Sequence, residues 1–387
     1  MTKKPNIVMV MLDGASGKKV ETSNAFSRLK SKGLFFKNMF TSSPYTLASL
    51  HSLFTGIYGS NNGVNGYYKI NDLDDNCKTL TEYLKDEGYY CVGSPMRNEL
   101  CPKSGFDIFE ENNPFKKEKL FEHQKIVIDN TFKNKESKPF FLFLHCSIIH
   151  TSYIDNVFKV HDDFSETYFG SPEENSKKYD SYLNESLEYS NQIYDYVESK
   201  GENDQTIFIY LSDHGMGTGE KVGERAYGVY TYDYSLQMFA HFIYPPFFKP
   251  GTDCKYLSSN IDILPTILNL LDIEIDTNRK KLDGLSLTSF FDKHSQRTFF
   301  DRLFKNEERY IYGETGGLYG PWPSPDSPNV RCIRTDEWKL IHNLTPDTWE
   351  LYNIVKDPNE NINLYSSEVG VSTRMKKKLM EDFKFEK

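Results

Sequence analysis

The strongest constraint on this chain is a set of short apolar runs that each end abruptly in a polar side chain: Ile7 to Leu12 before Asp13, Phe140 to Leu144 before His145, and Ile207 to Leu211 before Asp213. None alternates with period two, so both faces of each run must be covered, which suits the central strands of a parallel sheet packed between helices. Helical stretches intervene at Ser23–Lys32, Thr46–Phe54, Thr79–Glu87, Tyr179–Ser199 and Asp262–Leu271, the last with Asp262 as N-cap and Pro265 in its first turn. The alternation predicts an α/β fold, a doubly wound, mostly parallel sheet flanked by helices, whose ligands sit at the carboxyl ends of the strands. Asp13 and Asp213 fall there. From about Asp283 the texture changes to a proline-rich loop, Pro321 to Pro328, and short strand-like segments at Val330–Arg334 and Trp338–His342, then a charged helix from about Ser372. The expected division is a main domain over 1–290 and a C-terminal subdomain with a small antiparallel sheet and terminal helix over 291–387.

Composition narrows the partners. With 46 basic against 55 acidic residues the net charge is −9, which works against nonspecific binding to nucleic acid or anionic lipid. The apolar runs are far shorter than the roughly 20 residues of a membrane helix, so no membrane partner is expected. The first residues lead directly into Ile7 with no room for a signal-peptide apolar region, and this reading expects a cytoplasmic chain. Cys77, Cys91, Cys101, Cys146, Cys254 and Cys332 are widely spread without a Cys-x-x-Cys pair, and read as buried, reduced thiols. Composition sets no oligomeric state.

Asp213-His214-Gly215 places a carboxylate, an imidazole and a flexible glycine at one strand end, where both side chains can ligate a divalent metal. An acidic turn beside a hydrogen-bonded histidine is the alternative. Asp13 is either a further ligand or a loop-anchoring carboxylate. Between them, Ser43 to Gly56 contains a helix opening at Thr46, with Leu47, Leu50, Leu53 and Phe54 on its buried face. A hydroxyl at a helix N-terminus faces free amides that favour negative charge, so Thr46 is either a nucleophile or simply an N-cap.

Asp13, the hydroxyl-opened helix ending in Thr55-Gly56, and Asp213-His214-Gly215, in this order, resemble the alkaline phosphatase superfamily, specifically its sulfatase-like branch. Further matching segments are His150-Thr151-Ser152-Tyr153, like the family's His-x-Pro-Tyr element, Asp262 to Thr266, Leu282 to Leu287, Ile333 to Ile341, and Glu350 to Asn353. True sulfatases of this branch mature a Cys or Ser within Cys/Ser-x-Pro-x-Arg into formylglycine, whereas this chain has Thr46, Ala48 and Leu50 at those positions. Oxidising threonine gives a ketone, not that aldehyde. The resemblance therefore implies a metal-dependent phosphoester hydrolase, of phosphodiesters or phosphonate esters, or a phosphoryl-group transferase, acting through a covalent phospho-threonine like the branch's phosphodiesterases and phosphoglycerol or phosphoethanolamine transferases.

In that reading Asp13, Thr46, Asp213 and His214 hold one divalent ion, Mn²⁺ or Zn²⁺ before Mg²⁺ or Ca²⁺ because of the imidazole. His150 and Lys221 supply positive charge to the transferred group, and Arg97, Arg225 and Tyr227 read its distal part. The expected substrate is a small-molecule or glycan phosphoester. Two alternatives stand beside it: a sulfatase working without formylglycine, and a noncatalytic binding protein on the same fold.

Overall fold

The computed structural model describes residues 4–66, 72–112, 117–158, 166–224, 226–290, 308–316 and 329–382. The anticipated proline-rich loop lies outside them. The strands β1 (Asn6–Leu12), β2 (Leu34–Phe40), β3 (Tyr90–Ser94), β4 (Ile108–Phe109), β5 (Phe140–Cys146), β6 (Thr206–Leu211), β7 (Gln237–Ile243) and β8 (Thr252–Cys254) form one mixed sheet in the order β4-β3-β5-β1-β6-β7-β2-β8, and β9 (Ser258–Ser259) also pairs with β2. The three apolar runs lie side by side at its centre. β1 pairs in parallel with β5 on one side, Ile7 opposite Phe141, and with β6 on the other, Ile7 opposite Ile207.

Alternate residues of these strands feed two cores, as a sheet covered on both faces requires. On one face Val8, Val10, Leu142, Leu144 and Phe208 pack under the helices Leu120–Asn134 and Pro172–Glu198. On the other, Met9, Met11, Phe143 and Ile209 meet Leu50, Leu53 and Phe54 of the helix Thr46–Thr55 and Ile263, Leu264 and Ile267 of the helix Ile263–Leu270. Each such side chain contributes about 1.5–3 kcal/mol on burial, which makes these two layers the main source of stability. β7 runs antiparallel to both β6 and β2, which the apolar pattern did not foretell.

A second sheet, β10 (Ile311–Thr315), β11 (Val330–Arg334), β12 (Trp338–Asn343) and β13 (Thr348–Asn353), is antiparallel throughout. Ile333, Leu340 and Leu351 on one face are covered by Met375 and Leu379 of the helix Val369–Asp382. The opposite face, with Val330, Cys332 and Ile341, packs against Phe40, Tyr232 and Leu236 of the main body. Across this seam the fully buried Lys339 pairs with Asp233 at 2.7 Å and Glu360 at 2.8 Å.

Two expectations change in detail. Asp262 holds the expected N-cap position of the helix Ile263–Leu270, but its side chain makes no cap bond; its carboxylate accepts from Ser259 N at 2.7 Å and Leu285 N at 2.9 Å and pairs with Arg309 at 2.6 Å, closing the short turn Asn260–Asp262. The long helix begins at Pro172, a residue that fits a first turn because its missing N–H has no helical partner there. All six cysteines are free and buried. Among the described residues, no helix is long and apolar enough to cross a membrane.

Candidate active site

Parallel pairing brings the carboxyl ends of β1, β5 and β6 to one edge, and Asp13, His145 and Asp213 stand together there. Asp13 leaves β1 with its N–H on the Cys146 carbonyl at 3.0 Å. The next residue, Gly14, has φ +77°, and a Cβ there would lie 2.9 Å from Met216 Cε, so the turn needs glycine. Gly14 N donates to Asp213 Oδ1 at 3.0 Å, and His214 N donates to the same oxygen at 2.9 Å. Tyr179 steadies the turn, giving its hydroxyl hydrogen to Gly14 O at 2.8 Å and accepting from Ser16 N at 2.7 Å.

Thr46 arrives from the sheet's other half, where β2 ends at Phe40 and a buried loop leads into the helix Thr46–Thr55. Ser49, one turn in, donates to Asp213 O at 2.7 Å, and Asn260 ties that helix to the loop by donating to Ser49 O at 3.0 Å and accepting from Ser42 N at 3.0 Å. The N-cap position belongs to Tyr45, without a side-chain cap. Thr46 is therefore the first helical residue, and its Oγ1 sits 3.4 Å from His214 Nε2 instead of capping the helix.

His214 Nδ1 lies 2.7 Å from Gly215 O. A carbonyl only accepts, so Nδ1 carries a hydrogen and Nε2 is the ring nitrogen turned toward the carboxylates. Nε2 faces Asp213 Oδ2 at 3.4 Å, which has no hydrogen-bond partner, and Asp13 Oδ1 at 3.7 Å, which His150 Nδ1 approaches at 3.3 Å. Two carboxylates gathered this closely and shielded from water repel one another, and a cation held between them relieves that repulsion. Asp13, Asp213 and His214 offer ligand atoms within 4.8 Å of one another, the one such group among the described residues. The donor set fits a divalent ion.

Two further histidines touch Asp13. His145, fully buried, has Nε2 at 3.1 Å from Oδ2, and His150 has Nδ1 at 3.3 Å from Oδ1. Burial alone would push the Asp13 carboxyl up, but the charge of His150 and the hydrogen bond from His145 outweigh it and hold Asp13 well below the usual carboxylate range. Asp213 moves the opposite way, raised by burial and then by the neighbouring charge of Asp13. His150 is raised: burial lowers it, and the Asp13 charge more than compensates.

His150 lines a cavity of about 370 Å³ together with Thr46, Leu47, Met96, Arg97 and Tyr227. The Tyr227 ring lies 4.8 Å from the His214 ring and 5.4 Å from that of His150, roofing both. Arg97 is half exposed at the cavity wall, 3.6 Å from Glu99. Lys221 is engaged elsewhere: its ammonium donates to the Glu360 carbonyl and lies 4.6 Å from the Tyr232 ring centroid, in the seam with the second sheet. Arg225 lies outside the described residues. His241 and His342 stand apart from the site, bonded to Leu29 O and Asp347 respectively.

Sequence reasoning passed over His145. The signal was present, since His145 ends an apolar run as Asp213 does.

The chain is 29% identical over 201 residues to an N-acetylglucosamine-6-O-sulfatase of Bacteroides thetaiotaomicron, a match covering 49% of this chain and 33% of that enzyme, so the chain spans about a third of that curated relative's length. Two solved structures share the fold. One, described as a complex with its substrate D-glucosamine-2-N,6-O-disulfate, has a TM-score of 0.72 at 18% identity, covering 98% of this chain and 97% of the other. The second, a phosphonate monoester hydrolase from Silicibacter pomeroyi, has a TM-score of 0.72 at 15% identity, covering 98% and 95%. A family model described as N-sulphoglucosamine sulphohydrolase, C-terminal, matches residues 227–384, and the Sulfatase model matches residues 5–273, well over half the chain. This is a family of hydrolases that use a divalent metal, and the chain belongs to it.

Proposed function

We propose that this chain cleaves or transfers a phosphodiester or phosphonate ester group on the Thr46 hydroxyl, forming a covalent phospho-threonine. The observation that carries the reading is the place of Thr46: first in its helix, relieved of capping by Tyr45, and 3.4 Å from His214 Nε2. Asp13, Asp213 and His214 would hold the divalent ion, which when bound lowers the pKa of a nearby hydroxyl and offsets charge on the transferred group. Mn²⁺ or Zn²⁺ suits the mixed oxygen and imidazole set better than Mg²⁺ or Ca²⁺.

Thr46 attacks phosphorus, forming an Oγ–P bond while the P–O bond to the leaving alcohol breaks. The hydroxyl's proton passes to the departing oxygen, and His150, which lines the same cavity as Thr46, is the proposed carrier. Water, or a second alcohol in a transferase, then displaces Thr46 and restores its hydroxyl. Arg97 and Tyr227, which line the same cavity, are the proposed contacts of the leaving group. No comparable contact supports Lys221, whose charge is spent on Glu360 and Tyr232.

A second reading, sulfate-ester cleavage by the same threonine, is favoured by the curated sulfatase relative. Ala48 and Leu50 where formylglycine enzymes carry Pro and Arg weigh against the usual sulfatase route. The test is a panel of aryl phosphate monoesters, phosphodiesters, phosphonate monoesters and sulfates, each with Mn²⁺, Zn²⁺, Mg²⁺ or chelator. The proposal expects turnover of phosphodiesters or phosphonates above sulfates. Sulfate turnover above both replaces it with the second reading.

A further inference from the structure

We infer that His145 is a positioning residue for metal binding: its Nε2–H claims one oxygen of Asp13 and so turns the other toward the Asp213 and His214 ligand atoms. The inference rests on Asp13 acting as a ligand. Asp13 follows a strand and is held by its backbone, but its carboxylate can still rotate about the Cβ–Cγ bond and offer either oxygen. His145 removes that freedom by holding Oδ2 at 3.1 Å, which leaves Oδ1, approached by His150 Nδ1 at 3.3 Å, as the oxygen facing His214 Nε2 at 3.7 Å. The rotation is sealed from water, because Asp13 and His145 are both at 0% exposure.

A second feature shows that the position of His145 is itself built. Its carbonyl accepts from two buried side-chain amides, Asn112 Nδ2 at 2.9 Å and Gln124 Nε2 at 3.0 Å. Asn112 also donates to Ser94 O at 3.0 Å, so one amide ties the ends of β3 and β5 together at this residue. Neither amide belongs to the sheet ladder. Together they fix the strand end from which the imidazole reaches Asp13, and Phe143 supports the ring edge-on at 6.4 Å. His145 does not complete a second metal site, since the one convergent group among the described residues is Asp13, Asp213 and His214. Nor does it line the cavity that His150 and Thr46 share.

The test is calorimetric titration of the chelator-stripped full chain with Mn²⁺ alone, and with Zn²⁺ alone, for wild type, His145→Phe, His145→Gln and Asp13→Asn. Gln can place an amide N–H near the position of Nε2, whereas Phe fills the ring's space and donates nothing. Loss of an outer hydrogen bond to a ligand should weaken binding about 10- to 100-fold in His145→Phe. His145→Gln should bind near the wild-type level, which a role in packing or in direct ligation would not give. Wild-type affinity in a folded His145→Phe, with Asp13→Asn weakened, overturns the inference and leaves the metal site standing. Equal weakening in His145→Gln and His145→Phe also overturns it. If Asp13→Asn binds as wild type does, the ligand assignment fails first. If His145→Phe does not fold, His145→Gln decides alone: retained binding supports the inference, and a tenfold loss overturns it.

Discussion

Replacing Thr46 with alanine separates the two things its side chain can do. The substitution removes a hydroxyl and a methyl from a residue at 6% exposure. The hydroxyl's contact with His214 Nε2 is 3.4 Å, too long to be a strong hydrogen bond, and the cap position is Tyr45. A lost methyl costs about 1 kcal/mol, and alanine's better helix propensity returns up to about 0.7 kcal/mol, so net stability should change by less than about 1 kcal/mol. Thermal unfolding followed by circular dichroism should move by a few degrees at most. Turnover should fall at least about 10³-fold, equivalent to about 4 kcal/mol of transition-state stabilisation. Thr46→Ser keeps a hydroxyl able to attack and should retain partial activity. The assay is steady-state hydrolysis of an aryl phosphodiester or phosphonate at saturating metal, beside the melting curve. A folded Thr46→Ala with turnover within tenfold of wild type would refute the nucleophile assignment.

Chelation should abolish activity, and Asp213→Asn or His214→Ala should lower metal content measured by elemental analysis, because each ligand is one of few; full activity of metal-free protein would count against the site. Glu224, whose carboxylate accepts from Val229 N at 2.6 Å and Tyr230 N at 2.9 Å, is pushed by burial from 4.5 to about 7. Because its folded pKa is raised, the folded state holds the proton longer; that stabilising contribution is full below pH 4.5 and lost as pH rises through about 7. Glu224→Gln should therefore gain melting temperature relative to wild type between pH 5 and pH 8, and a constant difference across that window would contradict the burial argument. Lys339→Met leaves Asp233 and Glu360 buried without their shared cation, and should cost about 3–5 kcal/mol in denaturant unfolding. A loss under 1 kcal/mol would show that the seam does not depend on it.

The centre of the fold was legible because β1, β5 and β6 are buried on both faces, and unbroken apolar runs admit few other placements. Strand-end position alone left Asp13, Thr46, Asp213 and His214 each with an ordinary structural role; it was their order along the chain, through the resemblance to the sulfatase-like branch, that grouped them. What escaped was set by distant contacts. The reversal of β7 depends on pairing with β2 and β6, not on its own pattern. Lys221 follows Asp-His-Gly closely in sequence, yet Glu360, in the segment after β13 and far along the chain, captures its ammonium. Asp262 takes the N-cap position that its place before an apolar stretch suggested, but Leu285 and Arg309 claim its oxygens, so its side chain does not cap. His145 was missed for a different reason: a histidine at a strand end reads as core until its partner, Asp13, is seen.

The covalent step is the heart of this account, and it can be observed directly. Full-length protein loaded with Mn²⁺ or Zn²⁺ is mixed with excess aryl phosphonate or phosphodiester, quenched in acid within the first turnovers, digested and mapped by mass spectrometry. The account predicts a mass gain equal to the transferred group on the peptide containing Thr46, fragmenting to that residue and missing in Thr46→Ala. Rapid product release from these substrates with Thr46 unmodified at every time point would contradict it.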